Sequence, residues 1–313
     1  MFATAFSISH FVKRFRIGWI LFALVLCFAG SLQAAESHGE AALAKERGLP
    51  LYSPVLFRAG PFVLTSSMVL CWIAAITLII LSQLATRNIR PIPSPLQNFW
   101  ELLVEGLYNF LEGIVGKELV KKTFWFFATI FIFILISNWF GLIPGVGTIG
   151  WGQYVAGHGF ELEKPLLRGG NADLNMTFAI AMIFFLFWVV WGIQSNGAGG
   201  FFLHIFGPKG DATGLMKIAM IVLFAFVGVL ETISIAFRPV SLSFRLYGNV
   251  FAGENLLEAM TGMSHLFGWL IALPFYFLEL LVGLVQALVF MLLTSVFTAL
   301  ICTHEGGEHE AHH

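Results

Sequence analysis

The chain has 313 residues, of which 58% are hydrophobic and 11% charged, with 34 Phe, 9 Trp and a formal net charge of −1. That balance excludes an ordinary soluble domain and gives no electrostatic footprint for nucleic acid, so the length divides into membrane spans rather than globular domains. Cys27, Cys71 and Cys302 lie in or beside apolar runs without metal-ligand spacing and read as small apolar side chains.

Residues 1–35 join a basic start (Lys13, Arg14, Arg16) to an apolar stretch from Ile17 to Gly30 and to Ala34 and Ala35, the pattern of a secretory signal. Its cleavage site is imperfect, because Leu32 or Gln33 stands where a second small residue is preferred, and an uncleaved first helix is the rival reading. Either way 36–60 forms an external segment, and a membrane domain follows over 61–303. Pro61 to Ala85 predicts the first span, 25 residues ending before Arg87 and Arg90; at 1.5 Å per residue it reaches about 37 Å, enough for a tilted crossing. Pro91, Pro93 and Pro95 stop the chain from continuing as one helix.

From Ser94 to Lys117 polar side chains (Gln97, Glu101, Glu105, Asn109, Glu112) recur every three or four residues among Phe99, Leu102, Leu103, Leu107, Phe110 and Leu111. This is an amphipathic helix, expected at the inner interface; its acidic stripe suits a protein partner as well as a lipid surface. Phe124 to Ile143 predicts a second span, in which Asn138 is an intramembrane amide suited to helix-to-helix hydrogen bonding and Pro144-Gly145 is the stop. Gly145 to Asn171 reads as an external loop, Ala172 to Ile193 as a third span capped by Asp173 or Asn175, and glycine-rich Gln194 to Thr213 as an internal connection. Under this topology seven basic residues fall inside (Arg87, Arg90, Lys117, Lys121, Lys122, Lys209, Lys217) and five outside (Lys45, Arg47, Arg58, Lys164, Arg168), a modest inside bias.

Gly214 to Gly262 is an apolar run of 49 residues, about 73 Å if helical, so it is either two spans joined near Arg238-Pro239 or one long tilted helix bent at Pro239. Leu270 to Cys302 adds 33 residues, about 50 Å, and two neighbours of excess length are most simply two steep helices in an antiparallel hairpin. The predicted fold is therefore an all-α membrane protein with about five transmembrane helices plus the interfacial one. Residues 304–313 form a His/Glu-rich internal tail whose His304, His309, His312 and His313 read as a polar tail rather than a metal site.

Between Lys217 and Cys302 stand six full charges: Glu231, Arg238, Arg245, Glu254, Glu258 and Glu279. Arg245 is the most informative, because a guanidinium at the centre of a membrane helix costs roughly 2.5 to 3.5 kcal/mol on insertion scales and cannot shed its proton. It must face protein, water or a partner, and it marks an ion path. Ser241, Arg245 and Asn249 share a helix face at intervals of four. If the hairpin turns near His265 to Gly268, Arg245 falls level with Gln286 and Glu254 level with Glu279. Two carboxylates at one depth do not both ionise easily, so the pair can hold and pass a proton.

The stretch Arg238-Pro239-Val240-Ser241-Leu242-Ser243-Phe244-Arg245-Leu246-Tyr247-Gly248-Asn249-Val250-Phe251-Ala252-Gly253-Glu254 closely resembles the signature of subunit a of the F-type ATP synthase. Weaker similarities at Asn138 to Gly145, Ala172-Asp173-Leu174-Asn175 and Gln286-Ala287 with Phe290-Met291-Leu292 extend the resemblance over roughly residues 60 to 303. It implies a proton-translocating stator subunit with two offset half-channels, which hydrolyses nothing itself and binds no cofactor. Arg245 would meet the carboxylate of a rotating ring of c subunits and separate the half-channels. Asn249, Glu254, Glu279 and Gln286 would line the outer one; Glu231, Ser234 and Ser241 would line the inner one; and Asn138, Asp173 and Asn175 would have secondary roles. Implied partners are the c ring, the peripheral-stalk b subunits, the rest of the synthase and lipid. The implied location is the bacterial inner membrane, with a plastid thylakoid as the alternative. Many members pair a glutamate with a histidine where this chain has Glu254 and Glu279, which leaves open which group carries the proton. A secondary transporter is the competing reading, but its expected internal repeats are missing from the sequence, and a purely structural scaffold leaves Arg245 unexplained.

Overall fold

The structure, a computed structural model, describes residues 53–59, 62–155, 159–206, 215–264 and 267–302. The signal-like segment and the His/Glu-rich tail lie outside the described residues.

Six helices carry the described chain: α1 (Ser66–Thr86), α2 (Pro95–Val115), α3 (Lys117–Gly141), α4 (Leu174–Phe206), α5 (Leu215–Gly262) and α6 (Gly268–Cys302). All but α2 are long and apolar enough to cross a membrane, which gives the five expected spans. Two antiparallel hairpins join them, β1 (Val55–Ala59) with β2 (Phe62–Thr65) and β3 (Gly150–Val155) with β4 (Gly159–Pro165).

The first span begins later than its hydropathy suggests, because Phe62 to Thr65 is a strand paired with β1 and the helix starts only at Ser66. A short apolar run reads alike as strand or helix, so hydropathy alone could not place that boundary. The segment between α3 and α4, expected to be a loop, likewise contains the β3/β4 pair.

Ser94 caps α2 as its position suggests, its hydroxyl accepting from the Gln97 N–H at 3.4 Å, with Pro95 in the first helical position where no N–H is needed. Gly116, at φ +83°, ends α2 and lets α3 start at once. Leu107, Leu111 and Val115 are buried, whereas Phe99 and Leu102 are exposed beside Glu101 and Glu105. α2 thus has one face on the bundle and one uncovered.

α3 is the centre of the bundle: 72% of its most apolar stretch is buried. It packs against α1, α2 and α6. Phe126 stands 4.8 Å from the Phe187 ring and 5.3 Å from Trp191, which ties α3 to α4 by aromatic contact. Gly145, at φ +95°, turns the chain out after Gly141 and Pro144.

The third span ends close to where hydropathy puts it: the membrane-crossing helix runs over Leu174–Gly197, and Gly197, whose φ of +72° only glycine adopts cheaply, breaks the helical backbone before a second helical segment runs on to Phe206. The structure also decides the ambiguity at Pro239. α5 is a single helix of 48 residues with Pro239 inside it, about 72 Å long. α5 packs on α4 and α6, which makes α5 and α6 a hairpin, and α6 packs on α3.

Candidate functional site

The loop at 166–173 gathers four helices at one end of the bundle. Asp173 accepts from the Asn175 backbone N–H at 3.0 Å, which makes it the cap of α4, while Asn175 adds its own amide at 3.3 Å. The second Asp173 oxygen accepts from the Ser67 hydroxyl at 2.7 Å, so the cap also fastens α4 to the first turn of α1. Asn138 plays the helix-bridging part foreseen for it. Its Nδ2 donates to the Gly283 carbonyl of α6 at 3.0 Å, and its Oδ1 accepts from Asn171 at 2.7 Å. Asn138, Asp173 and Asn171 are all buried, so these bonds satisfy the Asn138 and Asp173 side chains and the Asn171 amide N–H groups, which an apolar surround would otherwise leave costly.

Beside this network Glu254 and Glu279 come together from α5 and α6. Both line one small crevice with Asn138, Gly141, Asn249, Gly283 and Gln286. Gly253, the neighbour of Glu254 in the chain, lies directly against the Glu279 carboxyl, so a side chain at that position would overlap it. Gln286 departs from expectation: its Oε1 accepts from Asn249 Nδ2 at 2.7 Å, one turn along α5 from Arg245. A side-chain amide that both donates and accepts bridges the pair with a single hydrogen bond, which the depth count alone could not assign. Asn249, Gly253, Leu256, Glu279, Val282 and Gln286 also line a wider groove of about 520 Å³ that opens at the surface between α5 and α6.

Arg245 itself faces outward. Its side chain is exposed, as are Ser241, Gly248, Asn249 and Ala252 around it, and among the described residues nothing pairs with it. The inner set is looser. Glu231, Ser234 and Ser241 are exposed on the same long helix, and Glu231 takes an ion pair from Arg238 at 3.3 Å. The Arg238 guanidinium lies 4.4 Å from the Phe297 ring centroid and 5.6 Å from Trp188. Aromatic faces therefore hold Arg238 against the bundle. Glu231 and Arg238, seven residues apart, thus share a face of α5, with the Arg238 guanidinium turned against the aromatic rings of the bundle.

Sequence reasoning counted Arg168 only as an external positive charge. In the structure it is buried, 4% exposed, and its Nε lies 3.9 Å from Glu254 Oε2. Gly169 passes so close to the Glu254 carboxyl that a Cβ there would collide with it. The signal in the sequence is an arginine followed by a glycine pair just ahead of the Asp173 cap, a backbone able to approach another helix closely.

The family model described as ATP synthase A chain matches residues 68–299. The chain is 32% identical to ATP synthase subunit a of Solidesulfovibrio magneticus over 235 residues, 75% of this chain and 83% of that one. It is 34% identical to ATP synthase subunit a 3 of Pelobacter propionicus over 241 residues (77% and 86%). Identity to ATP synthase subunit a of Geobacter sulfurreducens is 31% over 241 residues (77% and 86%).

Proposed function

The chain belongs to the ATP synthase A chain family, and from that premise we propose that Arg245 is the gate between two proton half-channels which exchange protons with a rotating ring. The protein is a proton-translocating stator subunit of the synthase membrane sector, a multi-pass bacterial membrane protein and a component of the whole complex. The relatives named are all bacterial; they favour the inner membrane and lend nothing to the thylakoid alternative.

The observation that carries the gating role is the exposure of Arg245 on an apolar helix without a partner among the described residues. Such a charge is costly in lipid, so a partner must cover it, and a ring carboxylate is the chemistry that repays the cost. As the ring site passes, the guanidinium attracts its carboxylate and favours loss of the proton to the inner side. Beyond Arg245 the site takes up a new proton from the outer side. A fixed cation between the two exchange points blocks direct proton passage, so the current has to turn the ring.

The outer half-channel is assigned to Asn249, Glu254, Glu279 and Gln286. Their support is the groove between α5 and α6, open to the surface and floored by polar groups. The inner one is assigned to Glu231, Ser234 and Ser241, supported by their exposure along the same helix below Arg245. Asn138, Asp173 and Asn175 hold the outer helices in register. The membrane domain spans 61–303, with a signal or extra helix before it and an internal tail after it. The uncovered acidic and apolar face of α2 is assigned to the peripheral-stalk b subunits and lipid. A membrane potential supplies roughly 2.3 kcal/mol per charge per 100 mV to this transfer.

The test is ATP-driven proton uptake and passive proton leak in vesicles carrying Arg245→Ala, with assembly of the complex verified. Driven pumping is expected to vanish while the assembled complex persists. Normal pumping would remove the gate and return the secondary transporter to consideration.

A further inference from the structure

The strongest feature outside the assigned half-channels is the buried cation in the loop ahead of α4. Arg168 is 4% exposed and approaches Glu254 at 3.9 Å, while the Glu254 side chain is itself only 12% exposed. The floor beneath this pair is made of two glycines: Cβ atoms built on Gly141 and Gly169 would both meet the Glu254 carboxylate or the adjoining backbone. The site therefore combines a fixed cation, a carboxylate and a cleared cradle, drawn from three separate segments. The charged and titratable groups facing Glu254 are Arg168 from the loop, Glu279 from α6 and Glu258 one turn along α5; α3 contributes Asn138 and Gly141 to the same crevice.

We propose that Arg168 is a positioning residue of the outer half-channel, anchoring the Glu254 carboxylate over the Gly141 and Gly169 cradle and compensating its charge beside Glu279. This rests on the outer half-channel reading given above. Two carboxylates that share one crevice repel each other, and without a cation the pair would hold one proton tightly. With Arg168 in place, the pair carries its negative charge next to a permanent positive one, and among the described residues Glu279 is the carboxyl without a cation beside it. Protons then arrive from the open groove and move across the pair toward Arg245. Arg168 acts through Glu254, which it approaches and which lines the crevice shared with Glu279.

The experiment uses the assembled synthase in vesicles and measures ATP-driven pumping against pH on the side the outer half-channel faces. Four forms are compared: R168Q, R168K, E254Q and the double variant R168Q/E254Q. R168Q is expected to lower pumping about tenfold and to displace the pH profile by about one unit, R168K to restore most of the rate, and the double variant to pump no worse than the poorer single variant, because the two residues act as one unit. A pH profile for R168Q that superimposes on that of the unaltered protein overturns the proposal, as do single-variant losses that simply multiply in the double variant. If R168Q fails to assemble, assembly of the double variant supports the pair, and failure of both shows that Arg168 acts independently of Glu254 and overturns it. Normal pumping by E254Q would defeat the outer half-channel reading itself, whereas a defective E254Q with an unaffected R168Q would defeat only the positioning role.

Discussion

At the scale of single residues, Gly253 has the clearest consequence. Its backbone lies against the Glu279 carboxyl, where a methyl group would displace that carboxyl from the crevice it shares with Glu254. Gly253→Ala is therefore expected to cut ATP-driven pumping by about ten- to a hundredfold, the usual penalty for an ångström of misplacement in a transfer site. Gly113→Ala, on α2 with open space around it, is the matched control and should pump normally. Equal pumping in both would show that Glu279 has room to adjust. The signature residues, Arg245 above all, could be read from the sequence because an intramembrane charge has few innocent explanations. Arg168 could not, since an arginine in a polar, glycine-rich loop is ordinary until the fold buries it. Gln286 falls between these cases: hairpin register brought it to the site, but the choice of Asn249 as its partner depends on side-chain reach.

At the scale of elements, hydropathy found each span but misjudged its ends. Five glycines between Gln194 and Thr213 suggested a loop, yet after the helical backbone breaks at Gly197 a second helical segment runs on to Phe206. The turns of α4 ahead of that break have a function in packing. Asn196 Nδ2 donates to the Ile301 carbonyl at 2.6 Å, Ser195 Oγ to Cys302 at 2.9 Å and Trp188 Nε1 to Phe297 at 2.9 Å, so α4 supplies donors to the last turns of α6. The final carbonyls of a helix have no partner of their own, and here a neighbouring helix satisfies them. Asn196→Ala should lower the stability of the membrane sector by about 0.5 to 2 kcal/mol, read as a lower dissociation temperature of the purified complex. Pumping per assembled complex should stay unchanged. A pumping defect without loss of stability would move Asn196 from packing into the proton path.

At the scale of the whole molecule, the bundle is markedly unequal in how it covers its helices. Only 17% of the most apolar stretch of α5 is buried, against 72% for α3. Sequence periodicity could show that Ser241, Arg245 and Asn249 share a face, but whether that face meets the bundle or a partner depends on how α4 and α6 pack, which no local pattern records. The structure turns that face outward and leaves Leu242, Ser243 and Leu246 buried on the other side. Small residues, Ser241, Gly248 and Ala252, flank Arg245 on the open side, which lets another helix come close. Two serines two positions apart therefore make a sharp test. In a background without the native cysteines, Ser241→Cys should form a disulfide with a cysteine placed on the outward helix of a ring subunit, because it is exposed beside Arg245. Ser243→Cys, at a position with 0% exposure, should not. Oxidation followed by non-reducing electrophoresis reads both. Disulfide geometry demands Cα atoms within about 7 Å, so a positive result at 241 places the ring against the arginine face. Cross-linking at 243 instead would mean that α5 rotates in the complex and that the exposed arginine face is not where the ring docks.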